Sequence, residues 1–326
     1  MNLFKYIFEY LVQAIPLGMT FVYGSVGEIL TEKVGHLNLG IPGVMCVGAA
    51  GGCAALQLIM QNIPGMNPIL VVVLGILASF LAAAIMGLLY SFLTVSLKAN
   101  QNVTGLALTI FGVGAMKHIM VGLTGSYYLD ALPYFRYPFV KAQQGTPLRS
   151  MQLFGVMLFL AIIIAVVSSY VLKHTKVGLH LRAVGENPAT ADAVGINVTR
   201  YKYLTTCIGS GIAGLGGLYY IMNYSGSPEA YKSIEPFGWL SIALVIFALW
   251  RPTLSILGSI IFGVLFVAGY YIPAIQAIQL DMATTPLLKM LPYLVTMIVL
   301  IVTSIRNKRE NQPPTGLGIN YYREER

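Results

Sequence analysis

Charged side chains are scarce in this sequence. Asp, Glu, Lys and Arg make up 10% of its 326 residues, and 56% of the residues are hydrophobic, whereas a soluble domain carries about 25% charged residues. A soluble chain of this length needs far more polar surface to cover its core. Uncharged blocks such as 70–97 and 154–172 match the ~20 residues with which a helix crosses a ~30 Å bilayer core. The composition therefore excludes a soluble fold and predicts an all-α, polytopic integral membrane helical bundle.

Cysteine is also scarce. Cys46, Cys53 and Cys207 all lie inside apolar segments. A disulfide framework or a zinc site needs cysteines clustered in loops. We therefore expect these three to be packing residues and the chain to hold no metal.

Motifs for ATP hydrolysis and for zinc catalysis are missing. The sequence has no Gly-x-x-x-x-Gly-Lys-[Ser/Thr] and no His-Glu-x-x-His, the patterns that cradle phosphates and bind catalytic zinc. We predict that the chain is not an enzyme, binds no cofactor itself, and takes its energy from a partner or a gradient. Ionisable residues inside membrane spans mark ion-coupled carriers, and their scarcity here counts against that alternative without removing it.

The apolar blocks predict about eight to ten membrane-spanning helices in a single domain, 1–326. The nine predicted spans are 11–30, 42–61, 69–97, 103–122, 152–172, 203–222, 237–250, 254–271 and 288–305. Arg251-Pro252 separates the seventh from the eighth, which would form a tight hairpin or one broken helix. The net charge of +8 comes from basic residues at span ends. Such residues set the orientation of the spans in the membrane, so the positive charge does not indicate nucleic-acid binding. The inside-positive rule places the N-terminus outside and the tail, 306–326, in the cytoplasm.

The long inner connection, residues 173–202, carries the signals of a short helix. Asn187 suits an N-cap, and Pro188 suits the first helical position. Gly195 suits the left-handed residue that ends a helix. We predict a two-turn helix over 188–194, lying at the inner membrane surface where a peripheral partner could bind it. An ordinary solvated loop is the alternative.

A second segment, 35–43, surrounds Asn38 with glycine and proline between the first two spans. Such residues break helices at membrane depth only where protein or a cavity satisfies the backbone. The neutral Asn38 amide could hydrogen-bond a polar, uncharged solute, and the alternative is an ordinary inner turn. Gln101 and Asn102 begin the fourth span and could also reach the solute, although Asn102 could instead be a helix N-cap.

Four stretches carry a resemblance to a known family. The run Gly-Leu-His-Leu-Arg-Ala-Val-Gly-Glu-Asn-Pro at 178–188, followed by Gly195-Ile-Asn, resembles the coupling loop of permease subunits of bacterial ABC importers. The branch is the one for branched-chain amino acids, simple sugars and nucleosides. The run at 27–43 is similar to that of nucleoside permeases, guanosine and other purine nucleosides included, whereas sugar permeases tend to carry Asp at the position of Asn38. Further matches lie at 101–108 and 238–247, and Pro42 departs from the pattern, which has Glu or a similar residue there.

The resemblance covers about residues 16–305, and it implies a transporter subunit in the bacterial inner membrane. Its implied partners are two cytoplasmic ATP-binding subunits, which bind the ATP, and an external solute-binding lipoprotein. A second permease, either a paralogue or a copy of this chain, would complete the pore, and membrane lipid would surround it.

The resemblance also implies roles for particular residues. The residues implied in coupling to the ATPase are Gly185, Glu186, Asn187, Pro188 and Gly195. The residues themselves, rather than the resemblance, place the solute path at Asn38, Gly40, Gln101 and Asn102. A structural or gating role is implied for Glu28 and Gly35, with Lys33 as a candidate partner of Glu28.

The implied solute is small and neutral, with a nucleoside as the first expectation. Riboflavin, a simple sugar or an amino acid would fit the same class of permease. The scarcity of charge along the supposed path favours a neutral solute over a zwitterion.

Overall fold

The computed structural model describes residues 3–63, 65–137, 153–271, 288, 290–306 and 312–322. Within these ranges the chain consists of helices and turns and contains no strand, as predicted. The helices are α1 (Leu3–Lys33), α2 (Ile41–Asn62), α3 (Pro68–Ser91), α4 (Gln101–Gly122), α5 (Leu132–Phe135), α6 (Val156–His174), α7 (Lys176–Glu186), α8 (Pro188–Ala193), α9 (Val198–Tyr219), α10 (Ile234–Phe247), α11 (Pro252–Tyr271) and α12 (Leu291–Arg306). A π-helical turn extends α3 over Phe92–Ser96, and another extends α9 over Tyr220–Ser225.

Each predicted span overlaps one of these helices, but the helices differ in length. Seven of those in the described ranges are long and apolar enough to cross a membrane: α1, α2, α3, α4, α6, α9 and α11. The other two, α10 with 14 residues and α12 with 16, are shorter than the ~20 residues of a perpendicular crossing. The seven longer helices make the protein a multi-pass membrane protein.

Helices α10 and α11 form a tight hairpin. The sequence analysis left two arrangements open here, a tight hairpin or one broken helix. Leu249 and Trp250 between them both have positive φ, at 52° and 53°. The rings of Phe247 and Phe262 lie 5.4 Å apart, whereas fifteen residues of continuous helix would separate them by about 22 Å. The chain therefore folds back on itself at Trp250.

Small residues allow the central helices to approach closely. Helix α1 is buried along most of its length, and a Cβ added at its Gly27 would lie 2.3 Å from the carbonyl oxygen of Gly209 in α9. A Cβ added at Gly48 of α2 would lie 2.4 Å from the Cα of Gly214. In lipid, where the hydrophobic effect does not hold helices together, such backbone contact supplies the packing energy.

The outward faces of α3 and α6 carry large apolar side chains, as expected of surfaces in contact with lipid. The most exposed of them include Ile69, Leu81, Ile85, Ile163 and Tyr170.

The connection 173–202 is more helical than we predicted. Thr175 ends α6 and caps α7, its hydroxyl accepting from the Gly178 amide at 3.1 Å. Helix α7 then continues to Glu186, and α9 begins at Val198 rather than at 203. This connection is thus a pair of helices, α7 and α8, rather than a loop with one short helix. Its apolar side chains Leu181 and Val184 are buried, so packing against the bundle stabilises α7.

Candidate coupling site and polar turn

The predicted short helix forms α8. Asn187 has an extended backbone, and its Oδ1 accepts from the Thr190 amide at 3.0 Å, with Pro188 at the first helical position. The helix ends one residue earlier than predicted, because Val194 is already the C-cap. Gly195 has φ +86°; its amide donates to the Asp192 carbonyl and the Ile196 amide donates to the Ala191 carbonyl, each at 3.0 Å. This is the Schellman pattern, so both helix ends are fixed by local bonds.

Gly185 connects this helix pair to α1. A Cβ added at Gly185 would lie 2.2 Å from the Lys33 carbonyl oxygen and 3.3 Å from the Gly35 nitrogen. Gly35 has φ +87°, a left-handed conformation that glycine adopts readily. The end of α7 therefore lies directly on the turn that follows α1. Glu186 and Asn187, the next two residues, are exposed.

A C-terminal segment, residues 313–322, lies across this junction, and we call it the C-terminal strap. The Gly316 amide donates to the Gly185 carbonyl at 3.0 Å, and the Gly318 amide donates to the Gly35 carbonyl at 3.2 Å. The Thr315 hydroxyl and amide both donate to the Glu186 carboxylate. The strap thus ties the ends of α1 and α7 together.

The far end of the strap reaches α8 and the start of α4. The Tyr321 hydroxyl donates to the Asp192 carboxylate at 2.8 Å. The Asn320 amide donates to the Lys98 carbonyl at 2.8 Å and accepts from Gln101 Nε2 at 3.1 Å. Beside these contacts a cleft of about 670 Å³ opens, lined by both polar and charged side chains, among them Lys98, Asp192, Arg200 and Tyr321.

The predicted polar turn lies at the same end of the bundle. Asn38 is fully buried; its backbone N–H donates to Glu28 Oε1 at 3.1 Å, and its side-chain Oδ1 accepts from the backbone N–H of Gly40 at 2.9 Å. Among the described residues Asn38 Nδ2 has no hydrogen-bond partner, and the Glu28 carboxyl also contacts the Glu32 carboxyl. Glu28 therefore bonds to the turn rather than to Lys33, the partner suggested by the sequence. Because an unpaired buried polar atom is costly, the Asn38 side chain makes this turn a candidate polar site.

Gln101 belongs to this turn, whereas Asn102 does not. Gln101 is buried, and its Oε1 accepts from the Leu37 amide at 2.8 Å. Asn102 is exposed, and the N-cap of α4 is Asn100, whose Oδ1 accepts from the Val103 amide at 3.1 Å. The suggestion that Asn102 caps this helix was therefore wrong by two residues.

Two neighbours of the turn, His36 and Glu32, were not among the predicted site residues. Buried His36 is hydrogen-bonded through Nδ1 to Thr206 at 2.9 Å, and burial lowers its pKa well below the ordinary value. The carboxylate of Glu32, one helical turn after Glu28, accepts from the Trp250 indole. A pair of carboxyls at i and i+4 on the core side of an apolar helix was the signal that could have drawn attention to Glu32.

Comparison with known proteins places this architecture in a family. A family model described as branched-chain amino acid transport system, permease component, matches residues 6–302. The chain belongs to this permease family.

Individual relatives of this permease differ in the solute for which they are named. The nucleoside ABC transporter permease NupC of Lactococcus lactis is 30% identical over 296 residues, covering 89% of each chain. The guanosine ABC transporter permease NupQ of Bacillus subtilis is 29% identical over 301 residues, again covering 89% of each chain. TsgC13 of Haloferax volcanii, a permease named provisionally for glucose, is 32% identical over 248 residues, covering 74% of this chain and 70% of its own.

Proposed function

We propose that this permease forms the membrane pore of an ABC importer that carries nucleosides across the bacterial inner membrane. The observation that supports it best is the match to two nucleoside permeases over 89% of each chain. The buried polar turn, with neutral Asn38 at its centre, suits an uncharged polar solute.

Coupling to ATP is proposed to act through α8. The exposed residues at its two ends are Asn187, its N-cap, and Val194, its C-cap, which is 71% exposed, and Glu186 at the end of α7 is exposed beside them. A docked ATP-binding subunit would cover Val194 and bond to the two polar side chains, since an apolar anchor within a polar rim is typical of interfaces. The cleft beside the strap would receive a further segment of that subunit.

Movement of α8 would pass to α1 through backbone contact. Gly185 touches the Lys33 carbonyl and Gly35, so displacing α7 must displace the turn after α1. That turn contains Asn38 and bonds to Gln101. Docking at α8 would therefore reposition the residues that we assign to the solute path, namely Asn38, Gly40 and Gln101.

The proposal assigns the remaining components to other chains. ATP and its hydrolysis belong to two cytoplasmic ATP-binding subunits, and this chain binds no cofactor. A solute-binding lipoprotein delivers the nucleoside from outside, and a second permease, a paralogue or a copy of this chain, completes the pore. In this arrangement α8 and the C-terminus face the cytoplasm.

A reconstitution experiment tests the proposal. The permease is placed in liposomes with the ATP-binding subunit and binding protein encoded beside it, and ATPase activity is measured with guanosine, riboflavin, glucose or no solute. Stimulation by guanosine that is lost in Glu186→Ala is the expected result. Stimulation by glucose alone would mean that the transported solute is a sugar rather than a nucleoside, and the assignment to ABC importers would stand. Uptake that needs no ATP-binding subunit and collapses with an ionophore would refute the class.

A further inference from the structure

Two neighbouring residues of the C-terminal strap join α8 to the start of α4. The Tyr321 hydroxyl donates to the carboxylate of Asp192 in α8 at 2.8 Å. Asn320, the residue before it, bonds to Gln101, the first residue of α4. Because the Cα atoms of consecutive residues lie about 3.8 Å apart, the strap links α8 to α4 through a single peptide unit.

Backbone groups at both ends fix the orientation of the Asn320 and Gln101 side-chain amides. Asn320 Nδ2 donates to the carbonyls of Lys98 at 2.8 Å and Ala99 at 3.2 Å. Its Oδ1 is thereby left to accept from Gln101 Nε2 at 3.1 Å. Gln101 Oε1 accepts from the Leu37 backbone N–H at 2.8 Å. Since a carbonyl only accepts and a backbone N–H only donates, neither amide can be turned over without losing bonds.

This row of hydrogen bonds ends at the polar turn. Leu37 precedes Asn38, and its carbonyl accepts from the buried Tyr90 hydroxyl at 2.7 Å. Gln101 is itself 2% exposed. Breaking a bond here would leave a buried polar group unpaired, which costs more than the bond contributes when it is made. Gln101 and the turn should therefore follow Asn320 when the strap moves.

The strap is held to the bundle mainly by hydrogen bonds rather than by apolar packing. Within 313–322 only Pro314 and Gly316 are buried, and Ile319 and Tyr322 are exposed. Burial of apolar surface is the main force that fixes a segment to a core, and the strap has little of it. The strap can therefore shift together with the helices to which it bonds.

Lys98 adds a further link between the strap and the connection from α3 to α4. Its Nζ donates to the Tyr321 carbonyl at 2.5 Å, while its own carbonyl accepts from Asn320. Its φ is 56°, a left-handed conformation that is uncommon outside glycine. Such conformations persist only where the surroundings hold them, and they cluster at functional sites. The strap thus helps to set the backbone just before α4.

We propose that the strap is a second route by which movement of α8 reaches the solute path, with Asn320 as the positioning residue of Gln101. This inference rests on the proposed function, in which α8 moves with the ATP-binding subunit. A displacement of Asp192 carries Tyr321 with it. The shared peptide unit moves Asn320, which turns the Gln101 amide. The contact at Gly185 moves the polar turn from the side of α1, whereas the strap moves it from the side of α4.

Tyr321→Phe tests the α8 end of this route, because it removes the hydroxyl and keeps the ring. In the reconstituted importer, the maximal rise in ATPase activity on adding guanosine should fall about 10-fold, the factor that corresponds to one hydrogen bond to a charged group. The guanosine concentration for half-maximal stimulation should stay unchanged, because the polar turn is unaltered. A purely structural role would instead lower the membrane abundance or the thermal stability of the variant.

Tyr322→Phe is the matched control at the next residue. The Tyr322 ring, 5.5 Å from Lys98 Nζ, is kept, and the hydroxyl that is lost bonds to nothing in the described part of the chain. Its stimulation should equal wild type. Wild-type stimulation in Tyr321→Phe as well would overturn the route.

The double variant Tyr321→Phe/Asn320→Ala distinguishes one route from two independent contacts. Along one route either change interrupts the same movement, so at equal membrane abundance the double variant should lose no more stimulation than the more affected single variant. Independent contacts would give losses whose factors multiply, and that result would overturn the route. In either case guanosine stimulation of the unaltered importer would leave the proposed function standing. An unaltered importer that guanosine does not stimulate would overturn the function itself.

Discussion

The contact between α7 and α1 makes Gly185→Ala an informative substitution. The new Cβ would lie 2.2 Å from the Lys33 carbonyl oxygen, whereas ordinary contact begins at 3.4 Å, so the two backbones must separate by about 1.2 Å. Alanine would gain about 1 kcal/mol from helix propensity, but overpacking costs about 1–3 kcal/mol. The clash therefore outweighs the gain, because both contacting groups are buried backbone.

The expected loss is in coupling rather than in insertion. The net cost is up to about 2 kcal/mol, which corresponds to a change of up to about 30-fold in an equilibrium, so guanosine-stimulated ATPase activity should fall by up to about 30-fold. Membrane abundance should be unchanged. Gly114→Ala is the matched control, since a Cβ there meets nothing within 4 Å, and its activity should equal wild type. Wild-type stimulation in Gly185→Ala would refute the idea that movement passes from α7 to α1 through this contact.

Three further predictions concern the same end of the bundle. Asn187→Ala removes the α8 cap, costs about 1 kcal/mol and should lower stimulated ATPase activity, whereas Asn187→Asp keeps an acceptor and should retain it. Asn320→Ala removes the bonds of the strap to Lys98 and Gln101, so limited proteolysis should cut the strap faster while the bundle stays intact. Burial lowers the pKa of His36. As the pH falls through ~6.5, His36 therefore binds a proton in the unfolded chain but not in the folded chain, which favours unfolding. Thermal stability in detergent should therefore drop between pH 7.5 and pH 5.5, and less so in His36→Gln; equal drops in both would contradict this.

The fold was largely predictable because lipid imposes long apolar blocks that can be read directly from the sequence. The caps of α8 were predictable for a similar reason, since Asn187, Pro188 and Gly195 act on neighbouring residues. Helix α7 was missed because its amphipathic run is short and polar enough to resemble a loop. Burial of Leu181 and Val184 against the bundle, together with the Thr175 cap, stabilises it as a helix.

Contacts between distant parts of the chain could not be predicted in the same way. The bond between Gly318 and Gly35 joins residues far apart in sequence through backbone atoms, which carry no residue-specific signal. The glycines, prolines and tyrosines after the charged flank at 306–310 were the one compositional sign that this tail has defined structure.

The strap also bears on the order in which this protein matures. Chains are synthesised from the N-terminus, so residues 313–322 leave the ribosome after every described membrane helix. Until then Gly35, Gly185 and Asp192 lack the bonds that the strap supplies. The surface that we assign to ATPase docking is therefore completed last, and an ATP-binding subunit that requires its final shape would assemble only with permeases whose synthesis has passed the strap.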